Sequence, residues 1–304
     1  MASGTPLHPL LPSAISAIGA GDVAALSGLL DRAPELVRAR SAPPVKATLL
    51  HYSSFNGTEE LAHAAPPSAP DVARLLLRRG AEPDALAFDT SGNTALCWAL
   101  SSWFNIQNDV MNDLADAYLD GGAAIEGVDG DGAPLGHAIG FGYTRAVEHL
   151  AARGAFVDHL TAAAALGDLP RLTGWFQGDG RFAPTAMNFA RGPKPETGRF
   201  SWPPPSDPDP SALALVTAAT HGRAEVVGWL LDQGIDPSAS VSMGQTALHF
   251  AAYIGHPRVV EMLLAAGARP DAIEAQFDRT PSDWAKETDE PELAALIDGH
   301  RSGK

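Results

Sequence analysis

The sequence is poor in several residue types on which whole classes of function depend. It contains a single cysteine, Cys97, and four lysines among 304 residues. One cysteine excludes a disulfide within the chain and the paired cysteines of many zinc sites. No apolar run approaches the ~20 residues that span a bilayer, and the first basic residue, Arg32, comes too late for a secretory signal. We therefore expect a cytoplasmic protein without membrane contact.

Positive charge is scarce as well. The formal net charge is −15 and the sequence pI is about 4.9. Binding to nucleic acid needs clustered Lys and Arg, so a nucleic-acid partner is not expected. An acidic surface favours a basic or neutral protein partner through long-range steering. The alternative is that the charge serves only to keep the protein soluble. We also expect a monomer.

What the sequence does have is an internal repeat. Its clearest unit begins with Gly244-Gln245-Thr246-Ala247-Leu248-His249, has Gly255-His256 at its centre and ends with Leu263-Leu264 and Gly267-Ala268. The next unit begins at Thr280, 34 residues after Thr246, and the closing Gly267 follows Gly234 by 33 residues. A fixed period of this size is typical of repeat proteins built from short helical pairs.

Each position of this unit has a mechanical role. Thr246 is a suitable N-cap for a first helix. Gly255 permits the left-handed turn into a second helix, and Gly267 ends that helix in the same way. Val259 and Leu263 lie on one apolar stripe of the second helix, which packs against its neighbours. The unit is therefore predicted to be a helix-turn-helix.

These residues resemble the ankyrin repeat, whose signature begins Gly-x-Thr-Pro-Leu-His and closes with Leu-Leu and Gly-Ala. The resemblance extends over nearly the whole chain and implies an all-α solenoid of about eight helix-turn-helix units. Through the segments His51-Tyr52-x-x-x-Asn56-Gly57-x-Glu59 and Phe200-Ser201-x-Pro203-Pro204-Pro205, the chain also resembles a group of bacterial ankyrin-repeat proteins without an agreed activity. In this family the His position, occupied here by His51, Cys97 and His249, links one repeat to the next by hydrogen bonds. The resemblance implies a non-catalytic protein-binding role.

Three segments depart from the repeat. A regular repeat has 21 residues from its Thr to its closing Gly, whereas the second repeat, Thr48 to Gly80, has 32 and the third, Thr94 to Gly122, has 28. Both insertions fall between the first and second helix, so they are predicted to lie side by side. The third segment, 177–211, is rich in Pro and Gly and separates N-terminal repeats in 1–176 from C-terminal repeats in 212–304. It is predicted either as a passive linker or as an arm anchored by Phe200 and Trp202.

The two repeats that carry insertions are also rich in aromatic and acidic side chains. First helices line the concave face of an ankyrin array, and Trp and Tyr dominate binding hot spots. We therefore predict a partner-binding cluster there; the alternative is that its aromatics form a local core. The cluster comprises Tyr52, Phe55, Asn56, Glu59, Glu60, Trp98, Trp103 and Phe104.

Signals for catalysis are few. No His-Glu-x-x-His pair, phosphate-binding loop or nucleophile elbow is present, and no cofactor or metal is expected. The spacing Gly130-x-Gly132-x-x-x-Gly136 fails the dinucleotide fingerprint and predicts a turn between repeats. The competing hypothesis is a small-molecule or catalytic site closed by the two insertions, in which His51, Tyr52, Asn56 and Glu60 supply acid, base and hydrogen-bonding groups.

Overall fold

The computed structural model describes residues 7–57, 65–89, 93–107, 109–177, 181–183, 186 and 209–301. Within these residues the prediction of an all-α repeat protein is confirmed, because the chain forms helical hairpins and a single short pair of strands. The chain divides into two compact units. Unit 1 contains the described residues up to Phe141 together with Ala152–Ala155, and unit 2 contains the remainder.

Unit 1 is built of short helices. In chain order they are α1 (Leu11–Gly19), α2 (Val23–Arg32), α3 (Leu49–Tyr52), α4 (Ala69–Arg78), α5 (Ala95–Ala99), α6 (Trp103–Gln107), α7 (Met111–Asp120) and α8 (Ala133–Gly140). Helix α4 packs on α2 and on α7, while α3 packs on α1 and on α5. First and second helices thus form two separate layers, as stacked hairpins require.

Unit 2 has longer and more regular helices. They are α9 (Thr144–Ala152), α10 (Leu160–Leu166), α11 (Leu169–Trp175), α12 (Pro210–Thr220), α13 (Ala224–Asp232), α14 (Ala247–Ile254), α15 (Pro257–Ala265), α16 (Pro281–Glu287) and α17 (Pro291–Arg301). The strands β1 (Phe176–Gln177) and β2 (Arg181–Phe182) pair antiparallel directly after α11. The predicted linker therefore begins as a small hairpin, and its proposed anchors Phe200 and Trp202 lie outside the described residues.

The core of unit 2 shows why the repeat signature folds as it does. Helices α10, α12, α14 and α16 pack in sequence on one another, and α13, α15 and α17 form the second layer. Alanines such as Ala218 and Ala251 are fully buried between first helices, which lets the helices approach closely. Leu230 and Leu263 fill the space between the layers. Each hairpin buries apolar surface that it could not bury alone.

Candidate functional site

The histidine of the repeat signature joins each first helix to the hairpin that follows it. His51 Nδ1 accepts the backbone N–H of Thr48 at 3.2 Å and lies 2.9 Å from its hydroxyl, so Nε2 carries the proton and donates to Asn93 O at 2.9 Å. His249 repeats the arrangement with Thr246 and with Arg279 O at 3.3 Å. Each histidine therefore caps the helix to which it belongs and is hydrogen-bonded to the loop that leads into the next repeat.

Burial disfavours the protonated, charged form of both histidines. Desolvation lowers the pKa of His51 to about 4 and also lowers the pKa of His249. Both ring nitrogens of His51 are already engaged in hydrogen bonds with the backbone or with Thr48. His51 therefore cannot act as the base of the hypothesised catalytic site in the insertions, because it has no nitrogen left to take a substrate proton.

Cys97 occupies the same position of the signature in the third repeat. Its backbone N–H donates to Thr94 Oγ1 at 3.2 Å, which caps α5. The side chain is fully buried, and desolvation raises the pKa of the thiol to about 12. A thiol with this pKa remains protonated at neutral pH and is a poor nucleophile. Cys97 therefore serves as a small apolar group of the core.

Three of the aromatic residues predicted for partner binding lie inside unit 1. Tyr52, Phe55 and Trp98 are each at most 5% exposed. The ring of Trp98 packs edge-on against His51 at a centroid distance of 4.9 Å, and its Nε1 donates to Asn93 Oδ1 at 3.1 Å. For these three residues the structure favours the alternative of a local core.

Helix α6, which belongs to the second insertion, contacts the residues that follow α3, while residues 58–64 of the first insertion lie outside the described residues. Asn105 is completely buried, and its Nδ2 donates to Ser54 O at 2.8 Å and to Ala99 O at 3.0 Å. Ser102 Oγ donates to Phe55 O at 2.6 Å. Sequence reasoning missed both residues, because no local pattern shows that a polar side chain bonds carbonyls of the preceding repeat.

Two further contacts complete this region. Asn56 Nδ2 donates to Ser101 Oγ at 3.0 Å, and Phe104 lies against Gly57, where an added Cβ would be 3.2 Å from its ring. Trp103, in contrast, is 56% exposed on the outer side of α6. Glu59 and Glu60 lie outside the described residues. The structure thus brings most of the predicted cluster together and leaves Trp103 at its surface.

We expect Asn105→Ala to lower the free energy of unfolding by about 2–3 kcal/mol, because two buried carbonyls lose their donor. Gln107→Ala, at an exposed position of the same helix, is the matched control and should change stability by less than about 0.5 kcal/mol. Urea unfolding followed by circular dichroism measures both. Equal stabilities for the two variants would show that Asn105 does not hold α6 in place.

A cavity of about 420 Å³ lies in unit 2. It is lined by Arg181, Asp209, Ser211, Gln233, Gly234, Ile235, Asp236 and Ala239. Each of its two carboxylates bonds a nearby backbone group, since Asp209 accepts the Ser211 N–H at 2.9 Å and Asp236 accepts the Ser238 N–H at 2.8 Å. Both side chains therefore act as backbone caps.

The part of the chain that the structure describes contains no group of three or more His, Cys, Asp or Glu side chains arranged to hold a metal ion. Among the same residues, no helix has the length and apolar character to cross a membrane.

Comparison with known proteins agrees with this architecture. The family described as ankyrin repeats (many copies) matches residues 215–264, which cover α13, α14 and most of α12 and α15. The ankyrin repeat domain-containing protein SAT10 of Stachybotrys chartarum is 36% identical over 84 residues, 28% of this chain and 4% of that protein.

Two cyclin-dependent kinase inhibitors are also similar. Human cyclin-dependent kinase inhibitor 2A is 38% identical over 99 residues, 32% of this chain and 61% of that protein. Mouse cyclin-dependent kinase 4 inhibitor B is 35% identical over 94 residues, 31% of this chain and 69% of that protein. The chain thus spans between a twenty-fifth and about two thirds of the length of these curated relatives. The repeat signature, the stacked hairpins and these matches together place the chain in the ankyrin-repeat family.

Proposed function

We propose that this protein is a non-catalytic scaffold that binds a basic protein partner, with Trp103 as the anchor on the surface of unit 1. Ankyrin repeats generally mediate protein–protein interactions. The observation that carries the proposal is the contrast within α6, where Asn105 is fully buried and Trp103 is 56% exposed. A large aromatic side chain on a rigidly held helix loses little conformational entropy when a partner covers it.

The charge around α6 supports a basic partner. Residues 80–144 contain ten Asp and Glu and no Lys or Arg. Some of these carboxylates have partners within unit 1, since Asp116 and Asp120 pair with Arg153 and Asp84 accepts the Ala124 N–H. Asp109 and Asp113, which lie just after α6, are exposed. Exposed carboxylates such as these accelerate the encounter with a cation-rich partner and disfavour acidic ones.

The relatives support a protein as the partner. Two of them are named as inhibitors of cyclin-dependent kinases, so their repeats act on another protein. We propose the same general mode here without transferring the kinase, because fold alone does not determine the partner.

We also propose that the chain is a cytoplasmic monomer, with repeats in 1–176 and 212–304 separated by the linker 177–211.

Capture from an extract of the source organism tests this proposal. Tagged wild-type protein should enrich a basic protein, and Trp103→Ala should reduce its recovery at least about tenfold because a hot-spot side chain is removed. The thermal midpoint of Trp103→Ala should stay close to that of the wild type, since the ring is mostly in solvent.

Val128→Ala is the matched control, because Val128 is another exposed apolar residue of unit 1. It should retain the partner in full. Recovery that falls equally for both variants, or a Trp103→Ala protein that is strongly destabilised, would assign the Trp103 side chain to packing and contradict the proposal. An acidic captured protein would contradict the charge argument.

A further inference from the structure

Two neighbouring loops of unit 2 display large apolar side chains to solvent. Met243 is 52% exposed on the loop before α14, and Ile273 and Phe277 are 60% and 59% exposed on the loop before α16. The loops touch through their backbones, since the Ala275 N–H donates to Met243 O at 2.8 Å. These three side chains, called here the loop patch, therefore lie next to one another on one surface of unit 2.

The backbone of these loops is held in unfavourable conformations. Met243 has a φ of 59° and Asp278 a φ of 54°, both in the left-handed region that residues with a Cβ avoid. A glycine at either position would relieve the strain. In the first loop, however, the glycine is Gly244, one residue after Met243. Lys46, two residues before Thr48, is left-handed as well, so this conformation belongs to the turn that precedes a first helix.

A buried carboxylate imposes the shape of the second loop. Glu274 is fully buried, and its side-chain oxygens accept the N–H groups of Gln276 at 2.8 Å and of Phe277 at 3.1 Å. Its backbone pairs with Arg279 across the loop. Burying a carboxylate is costly unless such bonds compensate it, and here the bonds hold Ile273 and Phe277 on the outside of the loop rather than in a core.

We propose that the loop patch binds the apolar side chains of a basic peptide segment from a protein partner. The proposal adds a second contact surface to the scaffold function and rests on that function. Exposed apolar surface does not stabilise the isolated chain, but here the Glu274 hydrogen bonds preform it as a surface that a partner can cover.

The charges beside the loop patch determine which partner fits it. Asp236, Asp271 and Asp278 are exposed on the same two loops, where they outnumber the one exposed arginine, Arg269. The guanidinium of Arg279 lies over the Phe277 ring at 5.7 Å and is paired with Glu287, so its charge is compensated. A second copy of the chain would bring another net charge of −15 against this surface. Lys or Arg residues flanking an apolar anchor complement it instead.

Selection from a phage-displayed library of random twelve-residue peptides tests this inference. The full-length protein is the bait, and the triple variant Met243→Ser/Ile273→Ser/Phe277→Ser is used for counter-selection. Selected peptides should combine aromatic or aliphatic residues with Lys or Arg, and the triple variant should bind them at least about tenfold more weakly by fluorescence anisotropy. Phe277→Leu, which keeps an apolar side chain, should bind within about threefold of the wild type.

Failure of this inference can be separated from failure of the scaffold function. Peptides that bind the triple variant as well as the wild type, or that carry acidic residues, would overturn the inference. So would sedimentation showing a dimer that the triple variant abolishes, because the patch would then be a contact between copies. Trp103→Ala should leave peptide binding unchanged; if it abolishes binding, the peptides occupy unit 1 and the loop patch is not their site.

Discussion

Lowering the pH from 7 to 5 is expected to reduce the free energy of unfolding by about 2 kcal/mol for each of His51 and His159. Desolvation lowers the pKa of both side chains to about 4, below the value of about 6.5 in an unfolded chain. Between these two values the unfolded state binds more protons than the folded state. The stability is therefore complete above pH 6.5 and is lost as the pH falls towards 4.

The surroundings of each ring explain why protonation opposes folding. Nδ1 of His51 accepts the Thr48 N–H, so a proton on that nitrogen would face a donor, and nearby Arg40 disfavours the charge further. Nδ1 of His159 accepts the Ala162 N–H at the start of α10. Arg171 lowers the pKa of His159 and Asp158 raises it, but burial is the largest influence. In both cases acid removes a helix cap.

Urea unfolding at a series of pH values measures this effect. The double variant His51→Gln/His159→Gln should be less stable at pH 7, but its stability should depend less on pH between 7 and 5, by about 4 kcal/mol over that interval. His300→Gln, at an exposed position of α17, controls for the loss of a histidine and should keep the wild-type dependence. If the double variant shows that dependence too, the buried histidines do not control acid stability.

The regular repeats could be predicted well from the sequence because each position has a local cause. Thr246, Gly255 and Gly267 mark the ends of α14 and α15, and the structure places a cap, a left-handed turn and a second left-handed turn at these three residues. Gly255 has a φ of 85° and Gly267 a φ of 93°. Signals of this kind depend on a few neighbouring residues, so they can be recognised without the tertiary structure.

The two repeats that carry insertions were harder to predict, because their structure depends on contacts between repeats. Helix α3 has only four residues, since the hydroxyls of Ser53 and Ser54 bond the carbonyls of Leu50 and His51 and compete with continued helix. The sequence places Trp98 and Trp103 in one aromatic cluster. Their opposite exposure follows from the way Asn105 fixes α6 against the preceding repeat, which no periodicity reveals.

Gly21→Ala is expected to destabilise the protein by about 3–4 kcal/mol, more than a turn glycine normally would. Gly21 has a φ of 65°, and a Cβ there would overlap Ser68 Oγ and lie 2.8 Å from Pro66 Cβ. The substitution also disturbs the bond of 2.9 Å from Ser68 Oγ to Gly21 O. The turn between α1 and α2 packs directly on the start of α4, so neither side can move away without loss of contacts.

Gly80 provides the matched control, because its φ of 88° is also left-handed while no atom lies within 4 Å of its missing Cβ. Gly80→Ala should therefore cost only the backbone strain of about 1–2 kcal/mol. Asparagine variants separate backbone strain from steric overlap, since asparagine tolerates the left-handed region but is larger than alanine. At position 80, Asn should destabilise the protein less than Ala does. At position 21, Asn should destabilise it more than Ala does. Equal losses at the two positions in urea unfolding would mean that the contact between these repeats is not close-packed at Gly21.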